Sequence, residues 1–450
     1  MRSSDTRLLW LMLRREIRNL LLSRSLWLML IILSLLTGYS FIEAVDLFSK
    51  ASETALTFPE LARGMNPVEG IFLPTFGAYY LVETLLFPFV VIRLVAHDKQ
   101  SGTLKLQLQL PLSSWKLNAI KMLALGFAAL LFLLPAISTI VIWHQLGGTI
   151  YLPQLLTLLL GHALYTLAIA CIALFASVVS STPATAAMIC LAATLGSWVL
   201  DFAAASGGWM TILSQLSLTT WLRPFEAGLL SSQAAGSFLA LSALLFLAAS
   251  ILHHPGRRFA DKLKALAVAI ASIALLIWLV SLQTFYFDAT ASHRHSLNPA
   301  DEQALKTMHH PLTITIHLAP EDGRLYDVAH GVLAKLRRAV PRLNVAFVAT
   351  QSTGLFGAPE DEHYGLIEFD YQGHHDETYS TSEQEILPLI HGLAGNKPSP
   401  IAVADYAGDP LVADASGSWW WFYLALPMLF LLMAWRARQY TFIPLWRLVK

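Results

Sequence analysis

Charge is scarce in this chain. Asp, Glu, Lys and Arg make up 13% of its 450 residues, against about 25% in ordinary soluble domains. That shortage excludes a fully solvated surface over most of the length. Cysteine is scarcer still, with Cys171 and Cys190 alone. Both fall in apolar runs, which excludes a disulfide framework or a cysteine metal site and leaves two small buried residues. No GxxxxGK[ST] loop occurs, and residues 392–399 (GLAGNKPS) have the wrong order, so a phosphate cradle of that type is not expected. There is no Ser-His-Asp ordering and no cysteine nucleophile, so the chain is not expected to be an enzyme. The N-terminal run has no small-residue cleavage site and is not expected to be a cleaved signal.

Apolar sequence is what the chain has in plenty. Hydrophobic residues account for 55%, and mean hydropathy is +0.55. A bilayer core about 30 Å thick needs roughly 20 apolar residues of helix, and backbone groups in lipid must pair within their own segment. Spanning helices are expected at 26–45, 72–92, 119–143, 154–178, 185–203, 234–252, 265–286 and 418–435. The fold class is therefore a polytopic α-helical membrane protein, with six helices in the first 253 residues and two more flanking a polar α/β domain. Residues 5–24 precede them with leucines at helical spacing and five arginines. Two readings stand for this stretch: an interfacial amphipathic helix, or an extension of the first span. Pro74, Pro88 and Pro135 are expected to kink spans.

Lys and Arg cluster in one set of flanks: the N-terminal segment, 93–121, 253–264 and 436–450. The opposite short loops hold Lys50, Arg63 and Arg223. This bias places both termini in the cytoplasm and the 288–416 block outside. Within that block, 311–318, 344–349, 366–371 and 400–404 have strand patterning, whereas 323–340 and 382–393 have helical spacing. The expected order is βαββαβ. Residues 354–362 read as a loop and 409–418 as a linker. The block carries 18 acids against eight Lys and Arg, a balance of −10, and ten of the fifteen histidines.

Residues 97–121 read HDKQSGTLKLQLQLPLSSWKLNAIK. This resembles the cytoplasmic loop of type-2 ABC transporter permeases, with Ser101, Gly102, Thr103, Leu104, Leu106, Leu108, Leu110, Pro111, Leu112, Ser113 and Lys121 at matching places. The glutamate that opens the run in that family is absent, and His97 and Asp98 stand nearby. Arg15, Glu16, Ile17 and Arg18 look like the family's elbow-helix signature. Residues 175–187 (FASVVSSTPATAA) are similar to its turn between the fourth and fifth spans. Residues 216–230, with Phe225, Glu226 and Gly228, look like its outer segment before the sixth. Beyond the seventh span, Phe287, Asp288, Thr290, His295, Ser296, Leu297, Asn298 and Leu305 resemble the start of a GldG-like auxiliary subunit. The whole is similar to a GldF/NosY-like permease fused to a shortened GldG-like domain. The divisions are then 1–25 elbow helix, 26–253 permease, 254–287 linker and seventh span, 288–416 outer domain, and 417–450 eighth span and tail.

The resemblance implies a permease subunit of an ATP-driven transporter, an exporter in the bacterial inner membrane. It implies a separate ATPase, two copies of it, carrying ATP and Mg, and a homodimer or a pairing with a similar permease. No cofactor is expected in this chain, and no nucleic acid among its partners. An extracytoplasmic partner protein is a further expectation. Residues 101–112 would dock as a helix in a groove of the ATPase, with Lys99, Lys105 and Lys116 orienting it; a solvated loop or a short strand are the alternatives. Two other functions stay open: mechanical transmission to an outer partner, and a metal-handling scaffold for maturation of an outer enzyme. Intramembrane charges mark pathway candidates: Glu83, Asp201 and Glu226, against a structural pairing with Arg93 or Ser/Thr neighbours, or simple exposure at the interface. His162, one turn from Tyr165, reads as a hydrogen-bonded packing group. The metal candidates are His293, His295, His374 and His375 with nearby acids such as Asp376 and Glu377, against a solvated polar surface.

Overall fold

In the computed structural model, residues 2–110, 112–203, 214–254, 256–281, 285–318, 322–348, 363–395 and 406–439 are described. The basic N-terminal stretch forms helix α1 (Arg2–Leu21). Ser23 then turns extended, at φ −71° and ψ 125°, and α2 (Arg24–Thr57) begins. The break makes α1 a separate helix and not an extension of the first span. Its stripe is legible: Met12 and Leu20 are buried, whereas Trp10 and Leu11 face out.

The second predicted span is a run of three pieces. A π-helical turn (Val68–Phe72) leads into α3 (Leu73–Leu85), and α4 (Phe87–Gln100) follows after a break at Leu86. Pro74 and Pro88 each sit in the first turn of a helix, where no amide hydrogen is required; they punctuate the run more than they bend it. Pro135 alone of the three lies inside a helix. A short helix α5 (Thr103–Gln107) is followed by α6 (Ser114–Gln145), α7 (Leu152–Val179), α8 (Pro183–Ala203), α9 (Leu218–Glu226), α10 (Ser232–Leu252) and α11 (Phe259–Ser281). The last predicted span lies within 416–439, built from a 3-10 turn, a π-helical stretch (Trp421–Ala425) and an α-helix (Leu426–Gln439).

Seven helices among the described residues are long and apolar enough to cross a membrane. They match seven of the eight predicted spans. The remaining one corresponds to α11, which is not among the seven. A pairing outside the helices bears on it. Strand β1 (Leu229–Ser231), just before α10, pairs antiparallel with β2 (Tyr286–Asp288), just after α11, with Leu230 opposite Phe287. α10 and α11 pack against each other, so they run in opposite directions from one shared end.

The last span is built into the bundle. A Cβ at Gly38 of α2 would come within 2.3 Å of Phe422 Cβ; only glycine lets the two helices approach so closely. Ser34 Oγ donates to the Phe422 carbonyl at 2.7 Å, and Phe422 and Phe430 are fully buried. The segment leading into it is strapped along α2. Leu411 N donates to Ser52 Oγ and Ala413 N to Ser49 Oγ, each at 3.0 Å. Asp409 N donates to the Met65 carbonyl. The predicted linker is therefore part of the helical unit.

The chain divides into two compact units. One holds 1–199, 216–289 and 407–450; the other holds 200–215 and 290–406. The boundaries fall at 289 and 406, where 288 and 416 were expected, because the strap satisfies its backbone on α2.

In the second unit, α12 (Pro299–Lys306) precedes β3 (Leu312–Ile316), α13 (Gly323–His330), α14 (Val332–Ala339), β4 (Leu343–Phe347), β5 (Ile367–Tyr371), β6 (His374–Thr378) and α15 (Glu383–Leu393). The sheet order is β4-β3-β5-β6, with β3 and β4 parallel and the other pairs antiparallel. Leu312, Ile314 and Ile316 alternate inward against Phe369 and Tyr371, and Leu333, Leu336, Ile386 and Ile390 cover them. The single helix expected over 323–340 is two, because the chain turns at Gly331, where a Cβ would lie 2.6 Å from the Asp327 carbonyl oxygen. β6 was not anticipated. The expected 400–404 strand and 354–362 loop lie outside the described residues.

Candidate functional site

The loop between α4 and α6 is where the sequence points, and four buried polar side chains converge there. Lys121 of α6 binds Asp98 of α4, and its Nζ is also 3.3 Å from Glu16 Oε2 of α1. Arg15 of α1 donates to Asp98 Oδ1 at 3.1 Å. Gln107, from α5, donates to Asp98 Oδ2 at 3.2 Å and faces Glu16 Oε1 at 3.4 Å. Asp98 is 1%, Glu16 1% and Lys121 2% exposed. Two acids and two bases thus balance inside a nearly dry pocket. Burial raises the Glu16 carboxyl above its usual range, with Lys121 pulling the other way. Ion pairs this deep repay desolvation only with good geometry and full hydrogen bonding. This one joins four elements, and α1 lies about 80 residues before the other three.

The rest of the loop departs from the docked-helix expectation. Helix occupies Thr103–Gln107 only, opened by Gly102 at φ 71°, a conformation glycine adopts without strain. Leu108, Leu110 and Leu112 turn back to pack with Leu8, Leu9, Met12 and Leu13 of α1. Their alternating spacing suits an irregular segment laid on a helix, not one helical stripe. Leu106 instead stands 65% exposed, and Lys105 is exposed beside it. Ser101 Oγ and Thr103 Oγ1 are 2.7 Å apart, Leu104 is half-buried, and Pro111 lies outside the described residues. Arg18 is exposed. Lys99 is turned inward: its Nζ donates to the carbonyls of Ser177, Val178 and Ser180. It caps the C-terminal end of α7, where a cation meets the negative pole of the helix dipole. That end is the small-residue turn singled out in the sequence.

A second cluster lies within the long helices. His162 Nδ1 is 3.1 Å from Glu83 Oε2, and His162 Nε2 is 3.7 Å from Glu226 Oε1. Thr166 Oγ1 donates to Glu83 Oε1 at 2.8 Å. The Phe76 ring lies 4.9 Å from the imidazole. α9 sits close because Gly161 presents no side chain: a Cβ there would be 2.4 Å from Phe225 Cβ. Two of the three pathway candidates are thus brought together, by a histidine that the sequence left as packing. Asp201 falls within α8, and its side chain lies outside the description.

The four histidine candidates do not converge. His374 and His375 are neighbours on β6, opposite Tyr371 and Asp370, so their side chains leave on opposite faces. His375 Nδ1 is 3.0 Å from Asp370 Oδ2. His293 sits in a turn at φ 50°, and His295 Nε2 accepts from Arg294 Nε. Among the described residues, no group of three or more His, Cys, Asp or Glu is arranged to hold a metal ion.

Sequence reasoning missed Asp98 and Gln107 as members of the loop cluster. A signal was available: an acid placed at the end of an apolar run. No family model, curated protein or solved structure matches this chain.

Proposed function

We propose that the chain is the transmembrane subunit of an ATP-driven ABC transporter, an exporter of the type-2, GldF/NosY-like class with a GldG-like outer domain. It would sit in the bacterial inner membrane with both termini cytoplasmic and 290–406 outside. It would pair with a second copy or a similar permease, and be driven by two copies of a separate ATPase holding ATP and Mg. The observation that supports this reading best is the buried Arg15–Glu16–Asp98–Gln107–Lys121 cluster. It fastens the short α5 to the elbow helix and to the third long helix, so a push on α5 reaches both. Leu106 and Lys105, which take no part in the cluster, are the surface for the ATPase.

The test is co-purification of the full chain with an ATPase encoded beside it. Binding is expected, and is lost when 103–107 is replaced by a Gly-Ser stretch of equal length. Failure to capture any such ATPase overturns the reading.

A second reading is mechanical transmission to an outer partner without a solute crossing. The strap at 407–416 favours it. Hydrogen bonds to Ser49 and Ser52 fix the chain leaving the outer unit onto α2, and one to Met65 holds it to the segment that follows α2, so movement of α2 pulls on that chain directly.

A further inference from the structure

We infer that Glu83, His162 and Glu226 form a one-proton exchange site inside the helical bundle. This deepens the transporter reading by naming a proton as a species the membrane domain binds.

The geometry makes the case. His162 Nδ1 and Glu83 Oε2 are 3.1 Å apart, so an ionised Glu83 accepts from Nδ1 there, and Thr166 donates to the other Glu83 oxygen. In a neutral imidazole the hydrogen is then on Nδ1, and Nε2 is a bare acceptor. Nε2 is buried without a hydrogen-bond partner, and it faces Glu226 Oε1 across 3.7 Å. Two acceptors confront each other there, and an unpaired buried acceptor is costly. One proton, carried by Nε2 or by Oε1, turns that gap into a hydrogen bond and draws α7 and α9 together. Release of the proton reopens it.

The site is closely packed. The Phe76 ring lies 4.9 Å from the imidazole, and Gly161 next to it packs on Phe225. The charged and titratable groups around it are Tyr79, Tyr80 and Glu83 on α3, Tyr165 on α7, and Arg223 and Glu226 on α9. Phe132 of α6 packs against Tyr79, and Phe238 of α10 against Tyr165. An ionisable group in such a place is functional by default. Here the two acids belong to separate helices, so occupancy and helix position are linked.

The experiment uses the purified full chain in detergent, without any ATPase. Infrared difference spectra across a pH titration follow the carboxyl stretch of buried acids. Wild type is expected to show a buried acid titrating well above the usual carboxylate range of about 4.3. Glu16 contributes a raised band of its own, so the wild-type-minus-Glu226→Gln difference isolates the band of the site, which Glu226→Gln should abolish. His162→Gln should move its midpoint by about one pH unit or more. Elution volume and circular dichroism report whether each variant is folded; if Glu226→Gln is not, His162→Gln decides alone. A wild-type spectrum without such a band overturns the proposal. So does a Glu226→Gln spectrum that keeps every wild-type band beyond the one Glu16 contributes, or a Glu226 band that His162→Gln leaves in place. Because no ATPase is present, this result stands or falls separately from the capture experiment.

Discussion

Lys121 reaches from the start of the third long helix to the Asp98 carboxylate at the end of the second, and both side chains are sealed from solvent. Removing one member of a buried pair strands the other. Lys121→Met leaves two buried acids, Glu16 and Asp98, with only the half-buried Arg15 as a cation beside them, so a loss of about 3–5 kcal/mol is expected. The double variant Lys121→Met with Asp98→Asn should recover part of it, because one of the two acids that lost Lys121 is gone. Thermal melting in detergent reads both, and a double variant no better than the single one would show that the pair is not the cause.

Leu106 and Leu112 lie six residues apart and face different ways. Leu112 is buried against Met12, whereas Leu106 is exposed. Leu106→Asp should leave melting unchanged and weaken ATPase capture tenfold or more, about 1.4 kcal/mol. Leu112→Asp should lower the melting temperature. Equal effects on both readouts would contradict the division of labour in this loop.

Gly38 fixes how closely the last span packs. Gly38→Val drives a side chain into Phe422, for which overpacking of about 1–3 kcal/mol is expected. Phe422→Ala added to it should restore part of the stability. Limited proteolysis between 406 and 416 reports whether the strap has come away from α2.

Asp322 gives a pH dependence with a definite sign. Arg324 beside it holds its carboxyl well below the usual range, with Tyr364 assisting. A depressed carboxylate stabilises the fold above its ordinary value of 3.8, and that stabilisation is lost as pH falls below it. Melting should therefore drop more for wild type than for Asp322→Asn between about pH 5 and about pH 3. Glu16 has the opposite sign: its raised carboxyl favours the fold when protonated, and this contribution fades as pH rises.

The helices were legible because lipid imposes long apolar runs, and their boundaries mostly fell within a few residues of the expected ones. α1 was legible from its stripe, though not its separateness, which depends on the backbone at Ser23. β6 was illegible because HHDET has no apolar alternation; pairing with β5 makes it a strand. The loop was found through its Gly-Thr and leucine pattern. Its fold was not, because Leu108, Leu110 and Leu112 are claimed by α1, a contact across about 100 residues of sequence. Glu83 and Glu226 stood out as charges in apolar surroundings. That His162 lies between them depends on the packing of α3, α7 and α9, which no local pattern encodes.

The account depends most on the α4–α6 loop facing the cytosol and meeting an ATPase. A single cysteine at Leu106, with Cys171 and Cys190 replaced by Ala, tests both points at once. A membrane-impermeant maleimide should label it in inside-out vesicles and not in intact spheroplasts, and bound ATPase should protect it. Labelling from the outer side of intact cells, or labelling that the ATPase leaves unchanged, would contradict the account.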